Sequence, residues 1–308
     1  MIRKSFKAFL LILFIFSSFI NITFVAQCDD TVSERELLLL TVISYSNEQE
    51  IGREVKLTNN MIKFYQWDSG MVSQDEVRGW TVLDFDINDN SSKDGFSIYV
   101  FKKGKNIVIT PRGTDGGMFT ENWKYLISNE HSQAKYMEKY VGQLVPILAK
   151  DKDCKIYFCG HSLGGYLALY GTGVLMQYPE ICEHFVKTIT FNGLGLGKNT
   201  NKLVMNELYK LKKEQILNYR INGDIISHIG DHITSCISLN LVKSNLWDVF
   251  SVHRLTCFFF NEPFSLKSQL EDVSDDIGSK RKTEISDKNF ENELTEDLPI
   301  FTMKTVTV

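Results

Sequence analysis

The chain is poor in the features that mark fibrous, repetitive or polyelectrolyte proteins. Its five prolines and twenty glycines follow no period over 308 residues, which excludes a collagen-like chain, and no internal repeat suggests a solenoid. Basic charge is not in excess. With 34 Lys and Arg against 38 Asp and Glu the formal net charge is -4, so the chain lacks the electrostatic footprint of a nucleic-acid binder. Partners are therefore expected to be small and uncharged, or lipidic. The six cysteines show no zinc-site spacing, and no metal or organic cofactor is expected. What is present is apolar: at 43% hydrophobic, the chain can bury one large core.

The two ends differ from the middle. Arg3, Lys4 and Lys7 precede an apolar run over 8–20, and a weak cleavage context follows near Gln27 and Cys28. Residues 1–28 thus read as a secretory signal, or as an N-terminal anchor if retained, and predict an exported or secreted chain that can contact a membrane or lipid interface. An exported chain can oxidise its cysteines, and Cys236 with Cys257 is the pair to test, whereas Cys159 reads as a small apolar side chain. Residues 265–308 are charged and polar and are expected to form a disordered tail. A single catalytic-size domain is left over 29–264.

That domain is organised around Gly160-His161-Ser162-Leu163-Gly164-Gly165. The apolar stretch before it reads as a buried strand, and the apolar stretch after it as a central helix. A G-x-S-x-G pattern between strand and helix is a nucleophile elbow: the turn is strained, helix and strand pass closely, and glycine is needed where a side chain would collide. Ser162 is the candidate nucleophile, and the backbone N–H of Leu163 is aimed where negative charge develops on a substrate carbonyl.

The flanking elements support a layered sheet. Ser33 and Glu36 form a capping pair before an apolar helix over 37–43, and a second helix is expected within 47–71. Strands are expected over 77–87, 96–102 and 106–109, the last two as a hairpin turning at Gly104. Helices are expected at 120–126 and at 133–148, where Pro146 should kink or shorten the second. Beyond the elbow, a strand over 185–191, a helix over 201–211 and a strand over 216–221 alternate as in an α/β sheet. The loop at Pro111-Arg112-Gly113-Thr114 follows the hairpin and would face the elbow, bringing a second N–H donor to the oxyanion.

A serine hydroxyl needs a base, and the base needs a carboxylate to hold its tautomer. For an elbow serine on an α/β sheet both follow the nucleophile, acid first. Asp224, after the strand at 216–221, is the candidate acid, with Asp231 behind it. His253 is the candidate base. His228 and His232 follow Asp224 too closely to fold back onto it, and His161 reads as a packing residue.

Together, Gly160-His161-Ser162-Leu163-Gly164-Gly165 and Arg112-Gly113-Thr114-Asp115 resemble the class 3, fungal-type lipase family and its bacterial relatives over roughly 34–260. The resemblance implies an α/β-hydrolase fold, with a mostly parallel central sheet flanked by helices. It also implies Thr114 and Leu163 as the oxyanion hole, and it supports Ser162, Asp224 and His253 as the triad. Pro111 departs from the aromatic residue usual there, and Gly116-Gly117-Met118-Phe119 is the only candidate for a lid. The expected function is hydrolysis of carboxylic esters, of lipids or small esters, through an acyl-enzyme. A tethered binding protein without turnover and an acyltransferase are the rivals.

Overall fold

The computed structural model describes residues 31–64, 71–87, 95–113, 132–234, 236–240, 252–261 and 264. The expected leader, the C-terminal tail, the helix at 120–126, the lid candidate and Thr114 lie outside them. Seven strands form one sheet whose spatial order is the order of the chain: β1 Thr81–Ile87, β2 Ser97–Lys103, β3 Asn106–Pro111, β4 Lys155–His161, β5 Phe185–Phe191, β6 Ile216–Ile221 and β7 Cys236–Leu239. The pairs β1–β2 and β2–β3 are antiparallel, and every pair from β3 to β7 is parallel. This is the α/β sheet expected from the alternating pattern and the α/β-hydrolase fold that the family resemblance implies.

Side chains alternate between the two faces of the sheet, so each central strand feeds two apolar layers. In β4, Ile156 and Phe158 pack on one face and Tyr157 and Cys159 on the other. The first layer is closed by α3 Ser132–Leu148, α4 Leu163–Leu175 and α5 Lys202–Tyr209, and the second by α1 Glu34–Ile43 and the segment 255–260. Both faces of the parallel strands are thereby covered, as a parallel sheet requires. The helix α1 starts at the expected Ser33–Glu36 capping box and is buried from Leu37 to Ile43.

Several boundaries move for identifiable reasons. The helix expected within 47–71 shrinks to α2 Asn59–Phe64, because the backbone before it pairs with the start of β1. Gly52 N–H donates to Val82 O (2.8 Å), Val55 N–H donates to Trp80 O (2.8 Å), and the Gln49 side chain bridges to the backbone of Lys56. The first strand begins at Thr81 rather than 77, since Ser73 and Glu76 cap a short 3-10 turn over Gln74–Val77. Pro146 sits in the last turn of α3, which ends two residues later at Leu148. β7 was not foreseen; four residues of mixed polarity at an edge carry little pattern.

The pair singled out for test, Cys236 and Cys257, is not bonded. All five described cysteines are thiols: Cys257 is buried in the second apolar layer, while Cys236 opens the edge strand β7. Burial drives the Cys257 and Cys159 thiols up to about 11, so both stay protonated and packed as apolar side chains. Among the described residues, no helix is long and apolar enough to cross a membrane.

Candidate active site

Because β3 to β7 run parallel, their carboxyl ends share one edge of the sheet, and ligands of α/β sheets bind at such an edge. Gly113 follows β3, Ser162 follows β4, Asn192 follows β5 and Asp224 follows β6 by a turn. The sheet thus gathers residues far apart in sequence.

Ser162 has φ 57° and ψ -127°, a conformation costly for a residue with a Cβ. Its surroundings enforce that conformation. Ser162 N–H donates to Phe191 O (3.3 Å), and Ser162 O accepts from Gly165 N–H (2.9 Å) and Leu194 N–H (3.1 Å). A Cβ on Gly160 would run into the carbonyl of Gly164. One on Gly164 would strike Pro111 O and stand 2.9 Å from Gly113 N, so strand, elbow and hairpin end meet without room for side chains. Gly113 lies so near that a Cβ on it would come within 3.3 Å of Ser162 Cβ. Leu163 opens α4, so its N–H has no acceptor one turn earlier in the helix and is oriented as a helix N-terminal donor.

Asp224 and His253 meet: His253 Nδ1–H donates to Asp224 Oδ2 at 2.9 Å, with 3% of His253 and none of Asp224 exposed. Asp224 Oδ1 accepts a second bond from Ile226 N–H (3.1 Å), so both carboxylate oxygens are engaged. With Nδ1 donating, Nε2 is the basic nitrogen of His253. The His253 ring lies 4.7 Å, centroid to centroid, from His161, the neighbour of Ser162. The structure therefore pairs Asp224 with His253 and sets His253 against His161, the residue before Ser162.

The competing residues are elsewhere. Asp231 is exposed and exchanges backbone hydrogen bonds with Leu196. His228 Nδ1–H donates to Asp224 O (2.8 Å), and His232 Nε2–H donates to Ser227 O (2.8 Å), so both rings brace the turn that carries the acid. Among the described residues, no cluster of three or more His, Cys, Asp or Glu is arranged for a metal.

Sequence reasoning missed two residues that hold the site and undervalued a third. Asn192 takes a left-handed φ of 46°; its Oδ1 accepts from Ile221 N–H (2.8 Å) and its Nδ2–H donates to Val252 O (3.2 Å). The Asn192-Gly193 pair, a turn signal, was the one clue to it. Tyr45 carried no clue, being an isolated tyrosine after a capped helix. Its hydroxyl accepts from Gly113 N–H (3.1 Å) and donates to His161 Nδ1 (2.9 Å). His161 is more than packing, for its Nε2–H donates to His253 O (2.7 Å).

A family model described as Mbeg1-like matches residues 68–284, a range that reaches past the domain end expected at 264. No curated protein matches the chain in sequence. Among solved structures, a variant of the Penicillium cyclopium protein MDLA aligns at a TM-score of 0.51 and 13% identity, over 71% of this chain and 84% of that one. A triacylglycerol lipase from Penicillium expansum aligns at 0.44 and 12%, over 67% and 78%. Lipase II from Rhizopus niveus aligns at 0.39 and 19%, over 51% of this chain and 63% of that one, less than two thirds of its length. At such identities the likeness bears on the fold alone, the one shared with MDLA.

Proposed function

This chain belongs to the Mbeg1-like family, and we propose that it is a serine hydrolase of carboxylic esters, with acyl-lipid esters as the preferred class. The observation that carries the reading is the buried Asp224–His253 pair set beside a serine held at φ 57°. Ser162 Oγ attacks the ester carbonyl carbon while His253 Nε2 takes the hydroxyl proton, and Asp224 stabilises the imidazolium. The N–H groups of Leu163 and Thr114 hold the oxyanion. Collapse breaks the ester C–O bond, and the leaving alkoxide takes the proton from His253 as the alcohol departs. Water, deprotonated by the same nitrogen, then cleaves the acyl-enzyme to give the acid and restore Ser162. The proposal includes export, directed by a leader at 1–28 that is either cleaved or kept as an anchor.

The test is labelling of the purified protein with a fluorophosphonate, mapped by mass spectrometry, beside hydrolysis of a p-nitrophenyl ester series. The expected adduct is confined to Ser162 and absent in Ser162→Ala. Hydrolysis should fall about 10⁴-fold in Asp224→Asn, which leaves the base in the wrong tautomer, with KM little changed. Absence of any adduct on folded protein would sink the hydrolase reading. An ester product formed only when an alcohol is added would replace it with acyl transfer.

A further inference from the structure

His161 lies between the nucleophile and the base, yet it is neither. Its two ring nitrogens face unlike partners. Nε2 meets a carbonyl, His253 O, at 2.7 Å and must therefore carry the hydrogen. Nδ1 is then the acceptor, and it faces the Tyr45 hydroxyl at 2.9 Å, which accepts in turn from Gly113 N–H at 3.1 Å. Each bond fixes the direction of the next, so the chain runs one way from Gly113 through Tyr45 and His161 to the backbone of His253. A second proton on His161 would break this order, since Nδ1 could no longer accept from the Tyr45 hydroxyl. Burial holds the imidazole down to about 3, which keeps the single-proton form across the whole neutral range.

The two ends of this chain matter. Gly113 precedes Thr114, the second oxyanion donor of the proposed mechanism, and lies against Ser162. At the other end, the backbone at Val252 and His253 is tied to the sheet by the Asn192 and His161 side chains. We infer that Tyr45 and His161 are positioning residues that lock the oxyanion-side backbone at Gly113 and the proton-transfer residue His253 into one register around Ser162. Neither touches the reacting atoms in this assignment; they act through Gly113 and His253. The inference rests on the hydrolase reading for its catalytic meaning, but its geometry can be read without turnover.

The experiment uses three variants of the full chain: Tyr45→Phe, which removes the shared hydroxyl; His161→Phe, which keeps a ring and loses both hydrogen bonds; and His161→Gln, whose amide still donates toward His253 O. For each, kcat and KM on p-nitrophenyl butyrate are measured, with the melting temperature and the low-field imidazole proton of His253 by NMR. Tyr45→Phe and His161→Phe are expected to lower kcat about 10- to 100-fold at nearly unchanged KM, as a misplacement of under an ångström does. His161→Gln should recover part of the loss and keep the low-field proton near its wild-type position, whereas His161→Phe shifts or broadens it. Wild-type kcat and an unmoved proton in folded Tyr45→Phe and His161→Phe would overturn the inference. Should His161→Phe not fold, Tyr45→Phe and His161→Gln decide by the same readings. If the wild type itself forms no adduct at Ser162, the hydrolase reading fails. The His253 proton then decides the register alone: a shift on loss of the hydrogen bonds upholds it, and an unmoved signal rejects it.

Discussion

Around Ser162 the backbone at Gly113, Gly160 and Gly164 comes so close that side chains do not fit, whereas the His253 segment is held by hydrogen bonds donated by Asn192 and His161 and by one it donates to Asp224. Two ways of fixing a group stand side by side at one edge of the sheet. Crowding fixes the serine sterically and leaves it no alternative position. Tethers fix the histidine through polar contacts, each worth about 1 kcal/mol net but costly to leave half-made in a buried place. The first is robust to chemistry and intolerant of volume, and the second is the reverse.

The sharpest way to break this contrast is Gly164→Ala. The new Cβ must displace Pro111 O and Gly113 N, both backbone, so a loss of more than about 3 kcal/mol or no folded protein is expected in urea unfolding. A folded protein of wild-type stability would remove the crowding half of the comparison. Next is Asn192→Ala, which deprives Ile221 N–H and Val252 O of their partner and leaves a Cβ residue at φ 46°. A loss of about 2 kcal/mol is expected; Asn192→Gly should recover roughly 1 kcal/mol by relieving the backbone while leaving activity low. If both variants were as active as the wild type, the tether would be idle.

The most gradual effect, smallest per unit of change, is in pH. Burial, reinforced by the neighbouring His253 and opposed by the hydrogen bond to His253 O and by Asp224, lowers His161 from 6.5 to about 3. Between those values the unfolded chain binds a proton that the folded chain does not, so stability falls as pH drops from about 6.5 toward 3. The slope is at most ~1.4 kcal/mol per pH unit. His161→Phe should flatten that part of the profile, as read from urea midpoints between about pH 4.5 and 7, while an unchanged slope would mean that the ring is not the buried neutral group described.

The same contrast explains what the sequence disclosed. Crowding writes itself as glycine, so the elbow and the close approach of the Arg112-Gly113 loop could be read directly from the string. Strands β2 to β6 could be read too, because alternation between two buried layers leaves β-branched and aromatic residues in nearly every position. Tethers write nothing comparable. Tyr45 joins the site over 116 positions of sequence, and Asn192 reaches Val252 over 60, with residues common in many other roles. The segment before α2 was misread because its polar residues satisfy β1 rather than a helix of their own. His253 was found only because a serine and an acid demanded a partner.

The strand order has a consequence for the timing of assembly. Since each new strand lands beside the one just made, a chain emerging from the ribosome can extend its sheet without threading or rearrangement. The proposed nucleophile is then built early, when β4 is laid against β3. The proposed acid comes only after β6, and the proposed base later still, with a segment that docks when most of the domain exists. Late in the chain, Phe264 O accepts a hydrogen bond from Arg35 in α1. An unfinished molecule carries a serine with nothing to activate it, so the proposed reactivity is withheld until the two ends of the domain have met.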